Sequence, residues 1–129
     1  MKLLDTDHCI AILRGQLDLS VHVSPEEELA TSSISVAELT HGAYRSRRQD
    51  DNLARLDVLL SVLIVLPFDD ATGRRFGKIK AELEVRGVPL DNLDLQIACI
   101  AIENDCQLIT NNGKHFSRIS ELQLLNWLE

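Results

Sequence analysis

The chain has 129 residues, 45% hydrophobic and 26% charged, with a formal net charge of −7. That length and balance suit one globular domain with a single core and exclude a disordered or fibrous chain. The acidic balance excludes a protein that simply coats nucleic acid, and the longest apolar run, "VLIVLPF" at 62–68, is too short to cross a bilayer.

In chain order, "KLLD" reads as a short strand ending in a carboxylate. "DHCIAILRG" follows as a helix with Ile10 and Leu13 inward and Gly15 as its stop. The few apolar residues before Asp5 do not make a secretory signal. The region 16–28 is irregular, and "SPEEE" has the Pro and acids of a helix start. "LATSSIS" is a second strand. "SVAELTHGAYRS" is a helix with Val36, Leu39 and Ala43 at helical spacing, Ser35 as N-cap and Glu38 completing a capping box. "DDNLARLDVLLS" gives an amphipathic helix with Leu53, Leu56, Leu59 and Leu60 on one face. That stripe reads as core, or as a dimer surface if the monomer leaves it exposed.

"VLIVLPF" has the composition of a strand buried on both faces. A long helix with Phe76, Ile79 and Leu83 in register follows, closed by Gly87. "LDLQIACIAIEND" is helical with Leu93, Ile97, Ile100 and Ala101 inward. "CQLIT" is a strand ending at Asn111 and Asn112, and "LQLLNW" is a last one. Strands alternating with helices imply an α/β fold with a mostly parallel sheet covered on both sides. No linker, repeat or low-complexity tract divides residues 1–129. Three cysteines without a CxxC pair (Cys9, Cys99, Cys106) read as reduced, partly buried thiols of a cytoplasmic protein.

Ligands of open parallel sheets sit beyond the carboxyl ends of the strands. Asp5 and Asp7 follow the first strand, and Glu38 lies in the first turn of the helix after the second. Thr110, Asn111 and Asn112 follow "CQLI", and Asp91 and Asp94 flank the start of the helix feeding that strand. Four remote segments thus deliver carboxylates or amides to one edge. Like charges ~4 Å apart at an effective dielectric of ~20 cost on the order of 4 kcal/mol per pair, so crowded acids must take up protons or bind a cation. Oxygen ligands favour Mg²⁺, with Mn²⁺ able to substitute, over Zn²⁺. A water retained by such an ion is a nucleophile for a phosphodiester, which makes metal-assisted phosphodiester hydrolysis the leading chemistry.

The segments "LLDTDHCIAILRG", "ISVAELTHGAYRS", "RGVPLDNLDLQIACIAI", "LITNNGKHFSRI" and "LQLLNW" resemble, in order and over nearly the whole chain, the signatures of PIN-domain ribonucleases, nearest the VapC-type toxins of bacterial toxin–antitoxin pairs. The resemblance implies a PIN-like three-layer α/β/α sandwich formed by residues 1–129. It also implies Mg²⁺-dependent endoribonuclease activity on an RNA substrate. The implied partner is a small cognate antitoxin that blocks the site, in a homodimer or a toxin–antitoxin hetero-oligomer without membrane association. Position by position it implies that Asp5 and Asp94 are direct metal ligands and that Glu38 is the second acid of the set. Asn111 and Asn112 fall where many relatives carry a further Asp, a departure that bears on a second metal site. Thr110 and Asn112 are expected to place the attacking water or scissile phosphate.

Each residue has a plainer role as an alternative. Asp7, next to "HCIAIL", suits the helix cap, which leaves Asp5 for the metal. Glu38 suits a capping box and Asp94 a helix N-terminus. Asp91 is a spare carboxylate or a cap, Thr110 a strand end, and Asn112 a turn residue. His8, His41 and His115 have no metal-site spacing and read as structural or surface residues. Arg45, Arg47 and Arg48 contact RNA phosphates or an acidic partner, or form a solvated face, and the basic run from Arg74 to Arg86 is read likewise.

Two further functions stay open. "LLDTD" and "LITNN" imitate motifs of haloacid-dehalogenase-like phosphatases, although no acidic pair follows Thr110 as that chemistry requires and Asp94 would be idle. A non-catalytic partner-binding PIN domain would use the acidic pocket to capture an Arg or Lys.

Overall fold

The computed structural model describes residues 1–128. Five strands, β1 (Lys2–Leu4), β2 (Leu29–Ser32), β3 (Ile64–Leu66), β4 (Gln107–Ile109) and β5 (Leu124–Leu125), form one sheet in the order β3-β2-β1-β4-β5, with every pairing parallel. The helices are α1 (Thr6–Leu13), α2 (Ser33–Arg45), α3 (Gln49–Ser61), α4 (Asp70–Val85), α5 (Asn92–Glu103) and the single turn α6 (Gly113–Phe116).

Strand alternation builds two cores. Leu3 of β1 stands level with Ala30 of β2 and Leu108 of β4, and all three face the core made with Ile79 and Leu83 of α4 and Leu95 and Ile100 of α5. One residue on, Leu4 and Ile109 face the opposite core, with Cys9 of α1, Leu39 of α2 and Leu56 and Leu59 of α3. Helices thus cover both faces, which is the α/β/α arrangement expected from the alternating elements. Each fully buried Leu or Ile contributes roughly 1.5–3 kcal/mol. Leu56 and Leu59 lie in the core, so the Leu53–Leu60 stripe is chiefly interior. Gly15 and Gly87 adopt φ of 71° and 70° and end α1 and α4, as the sequence predicts.

Three local expectations change. "VLIVLPF" is not a central strand: β3 pairs only with β2, and Ile64 and Val65 are exposed. The run's composition reports apolarity, while strand order depends on where the crossover helices land. "SPEEE" starts no helix; a 3-10 turn at Leu19–Val21 and further turns lead directly into β2. Leu93 is exposed, and Leu95 faces inward in its place.

The chain runs β1 to β2 to β3 in one direction, then returns past β1 to lay down β4 and β5. The crevice beyond the carboxyl ends of β1 and β4 is therefore where strand order reverses. Backbone bonds Gln107 N–H to Met1 O and Asp5 N–H to Ile109 O, both 3.0 Å, fasten that seam.

Candidate functional site

Asp5 emerges from β1 at the seam and is 6% exposed. It, and not Asp7, caps α1: its Oδ1 accepts from the His8 backbone N–H at 2.9 Å, while Asp7 lies exposed in the first turn. Spacing favours Asp7 only if the helix begins later than it does. Starting at Thr6 makes Asp5 the cap, so this acid holds both the structural and the candidate metal position.

Glu38 also differs from its expected setting. Strand β2 passes into α2 without a loop, so Ser32 is the N-cap and accepts from Ser35 N–H at 3.0 Å. Glu38 falls in the second turn and forms no capping box. Its Oε1 accepts from Thr6 Oγ1 at 2.7 Å, and Thr6 Oγ1 also meets Ser35 Oγ at 2.9 Å. Thr6 and Ser35 therefore tie α1 to α2 beneath Glu38, a role the sequence reading missed although Thr6 stands between the two acids of "DTD".

Across the crevice, Asp91 caps α5 by accepting Leu93 N–H at 2.7 Å. Asp94 lies in the first turn, and its Oδ2 accepts from Asn112 Nδ2 at 3.2 Å. Thr110, buried at the end of β4, accepts the Asn112 backbone N–H on its Oγ1 at 3.0 Å, so it fixes the turn that aims Asn112 at Asp94. Burial pushes the Asp94 carboxyl above its usual range, and the charges of Asp91, Glu38 and Asp5 add to that shift; His115 opposes it. Asp5 and Glu38, far from Asp94 in sequence, thus lie near enough to act on it electrostatically.

His8, expected to be merely structural or at the surface, is fully buried against Asp5. Its Nε2 accepts the Trp127 backbone N–H at 3.2 Å, so the proton lies on Nδ1, which donates to Asp5 Oδ1 at 3.0 Å. No local signal betrays this contact, because the partners are 119 positions apart. His41 and the Arg45, Arg47 and Arg48 cluster are exposed. In the second basic run, Arg74 and Arg75 are engaged by Asp70, Glu103 and Glu121. A cleft of about 330 Å³ between α1, α2 and α3 meets the acidic crevice at Glu38, with Arg14 and Arg55 on its walls.

The family model described as PIN domain matches residues 2–122. The chain belongs to the PIN-domain family. Ribonuclease VapC2 of Rickettsia felis is 35% identical, with 97% of this chain and 96% of that protein aligned. The tRNA(fMet)-specific endonuclease VapC of Shigella flexneri is 31% identical at the same coverage. Among solved structures, VapBC2 from Rickettsia felis bound to a promoter DNA fragment superposes with a TM-score of 0.90 at 34% identity, covering 98% of each chain. VapBC-1 from nontypeable Haemophilus influenzae gives 0.89 at 30%, covering 99% of this chain and 98% of that one. This PIN domain is of the VapC type, and its three-layer sandwich is theirs.

The donor set of this PIN domain fits a hard divalent cation. Each of the three acids is held through one oxygen (Asp5 Oδ1, Glu38 Oε1, Asp94 Oδ2) and, among the described residues, leaves the other without a hydrogen-bond partner. Among those residues no three His, Cys, Asp or Glu side chains are gathered into a ready cage. Mg²⁺ does not need one, since it is commonly held by one or two carboxylates and keeps several waters. All three cysteines are buried and free; burial pushes the Cys9 thiol up to about 12 and Cys99 to about 11, which makes them poor ligands.

Proposed function

We propose that this PIN domain is a divalent-metal-dependent endoribonuclease, acting in the cytoplasm as the toxin of a toxin–antitoxin pair. Asp5 and Asp94 hold Mg²⁺ or Mn²⁺, and Glu38 supports the ion or its waters. The observation that carries the reading is that Asp5, Glu38 and Asp94 stand around the strand-order reversal, where burial first and then the charges of Asp91, Glu38 and Asp5 raise the Asp94 pKa. The names of the relatives, ribonuclease and tRNA-specific endonuclease, support hydrolysis of RNA phosphodiesters, and the VapBC complexes support an antitoxin partner in a hetero-oligomer. The cleft beside Glu38 supports the partner assignment, because a segment seated there would reach the acids.

When bound, the ion would neutralise charge developing on the phosphate and lower the pKa of a water. The chain's residues do the positioning. Thr6 and Ser35 hold Glu38, Thr110 sets the turn of Asn112, and the Asn112 amide orients Asp94 and faces the space where water or phosphate would sit. Asn111 and Asn112, standing where the resemblance implies a further Asp, support a single dominant ion. The exposed Arg45, Arg47 and Arg48 would contribute salt-sensitive affinity for RNA. The phosphatase alternative leaves Asp94 without a part and requires a different family from the PIN domain matched here.

The test compares wild type with Asp94→Asn on total RNA, with Mg²⁺, with Mn²⁺ and with chelator. Metal-dependent cleavage by wild type and a loss of ~10²–10³-fold in the variant is expected. Equal cleavage by both refutes the assignment. Partner binding without any wild-type cleavage favours the non-catalytic alternative.

A further inference from the structure

The C-terminal segment reaches into the site through His8. Beyond β5 the chain crosses the ends of β4 and β1 and brings Trp127 N–H onto His8 Nε2 at 3.2 Å. The Trp127 indole is itself anchored. It stacks on His22 with ring centres 4.8 Å apart and planes 13° apart, and Lys2 Nζ lies 5.9 Å over it, tethered by Glu27. The His8 ring meets Trp127 edge-on at 6.4 Å. Residue 127 lies outside the span matched by the family model, which ends at 122.

From this geometry we infer that His8 is a positioning residue for Asp5, held in its Nδ1–H tautomer by the backbone of Trp127. The inference rests on the reading of Asp5 as a metal ligand. Two donors from the same residue, the backbone N–H and the ring Nδ1–H of His8, converge on Asp5 Oδ1. Together they fix the carboxylate's rotation through Oδ1 and leave Oδ2 without a hydrogen-bond partner among the described residues. A backbone N–H on Nε2 leaves only Nδ1 to carry the ring proton, so the C-terminal segment decides which nitrogen faces Asp5. Groups that orient a ligand in this manner typically change metal affinity by about 10–100-fold when lost. His8 touches neither ion nor substrate; it acts through Asp5.

The experiment has two readouts besides RNA cleavage. Nitrogen-resolved NMR of the imidazoles in the intact chain is expected to find His8 in the Nδ1–H form; the Nε2–H form overturns the inference. Calorimetric titration with Mn²⁺ then compares wild type with His8→Asn, His8→Gln and His8→Leu. Asn places an amide N–H near the Nδ1 position, so it keeps the donor to Asp5, whereas Gln reaches only toward Trp127 and Leu reaches neither. The expected affinity order is wild type, then Asn within a few-fold, then Gln and Leu weaker by about tenfold or more. A purely volumetric role would favour the larger Gln and Leu over Asn, and that order overturns the inference. Should His8→Leu fail to fold, the Asn–Gln pair carries the same comparison. Asp5→Asn is the control for the underlying reading. Wild-type Mn²⁺ affinity in that variant sinks the metal assignment and the functional inference with it. Wild-type affinity in His8→Gln and His8→Leu beside a weakened Asp5→Asn overturns the His8 inference alone.

Discussion

The two walls of the crevice hold their acids in opposite ways. On the β1 side, Asp5 is buried and held by two donors on Oδ1: it caps α1, receives the His8 ring and is backed, through His8, by Trp127. On the α5 side, Asp94 is half-exposed, receives one long hydrogen bond from Asn112, and is pressed by burial and by the charges of Asp91, Glu38 and Asp5. One carboxylate is fixed in place by donors before any cation arrives. The other sits in a field that only a cation or a proton relieves. Equal parts in a proposed metal site therefore need not mean equal parts in stability.

The largest expected effect is catalytic, the ~10²–10³-fold loss in Asp94→Asn. The sharpest contrast comes next, from alanine. Asp5→Ala removes an N-cap worth ~1 kcal/mol and leaves a buried His8 N–H unpaired at ~1–3 kcal/mol, so denaturant unfolding should show a loss of ~2–4 kcal/mol. Asp94→Ala should cost far less than Asp5→Ala in the same assay. Comparable losses would mean that the two walls are not different in kind.

Added Mn²⁺ should stabilise wild type by ~2.7 kcal/mol at a hundredfold excess over its dissociation constant, read as a rise in thermal midpoint, and should do little for Asp94→Asn. Without metal, Asp94→Asn should melt higher than wild type at pH 7. Solvent screens a half-exposed carboxyl, so the gain is at most ~1 kcal/mol, or ~2–4 °C in a domain of this size. The sign follows from linkage. A carboxyl raised above its unfolded value binds its proton more tightly when folded, so its penalty is full above the folded pKa and fades as pH falls through it. The melting advantage of Asp94→Asn should therefore vanish in acid; an advantage that grows in acid would contradict the electrostatic account. The smallest effect is a control: Asp7→Ala should lie within ~0.5 kcal/mol of wild type, because Asp7 is exposed and caps nothing.

Much of this was legible in the sequence. Apolar runs ending in Asp5 and Thr110 announce strands whose carboxyl ends carry polar groups, and helical spacing in α4 and α5 fixes the layer that covers them. The stops at Gly15 and Gly87 are local facts of backbone conformation, so the residues themselves mark them. What was illegible is non-local or turns on a single residue of register. Starting α1 at Thr6 rather than after Asp7 transfers the cap to Asp5. Running β2 straight into α2 moves the cap from Ser35 to Ser32 and slides Glu38 into the second turn, where Thr6 finds it. The outer position of β3 is a property of the whole sheet order, and its own residues do not encode it. His8 looked inert because its partner arrives from the other end of the chain.

The seam between β1 and β4 also has a consequence for synthesis. Once made, β1 must wait for more than a hundred further residues before Ile109 can accept the Asp5 N–H and Trp127 can close on His8. A nascent chain that stalls before β4 has appeared carries Asp5, Glu38 and Asp94 but nothing to hold them together. Late closure of this kind is slow relative to folding from local contacts, and it postpones the proposed pocket until β4 and the segment carrying Trp127 have been made.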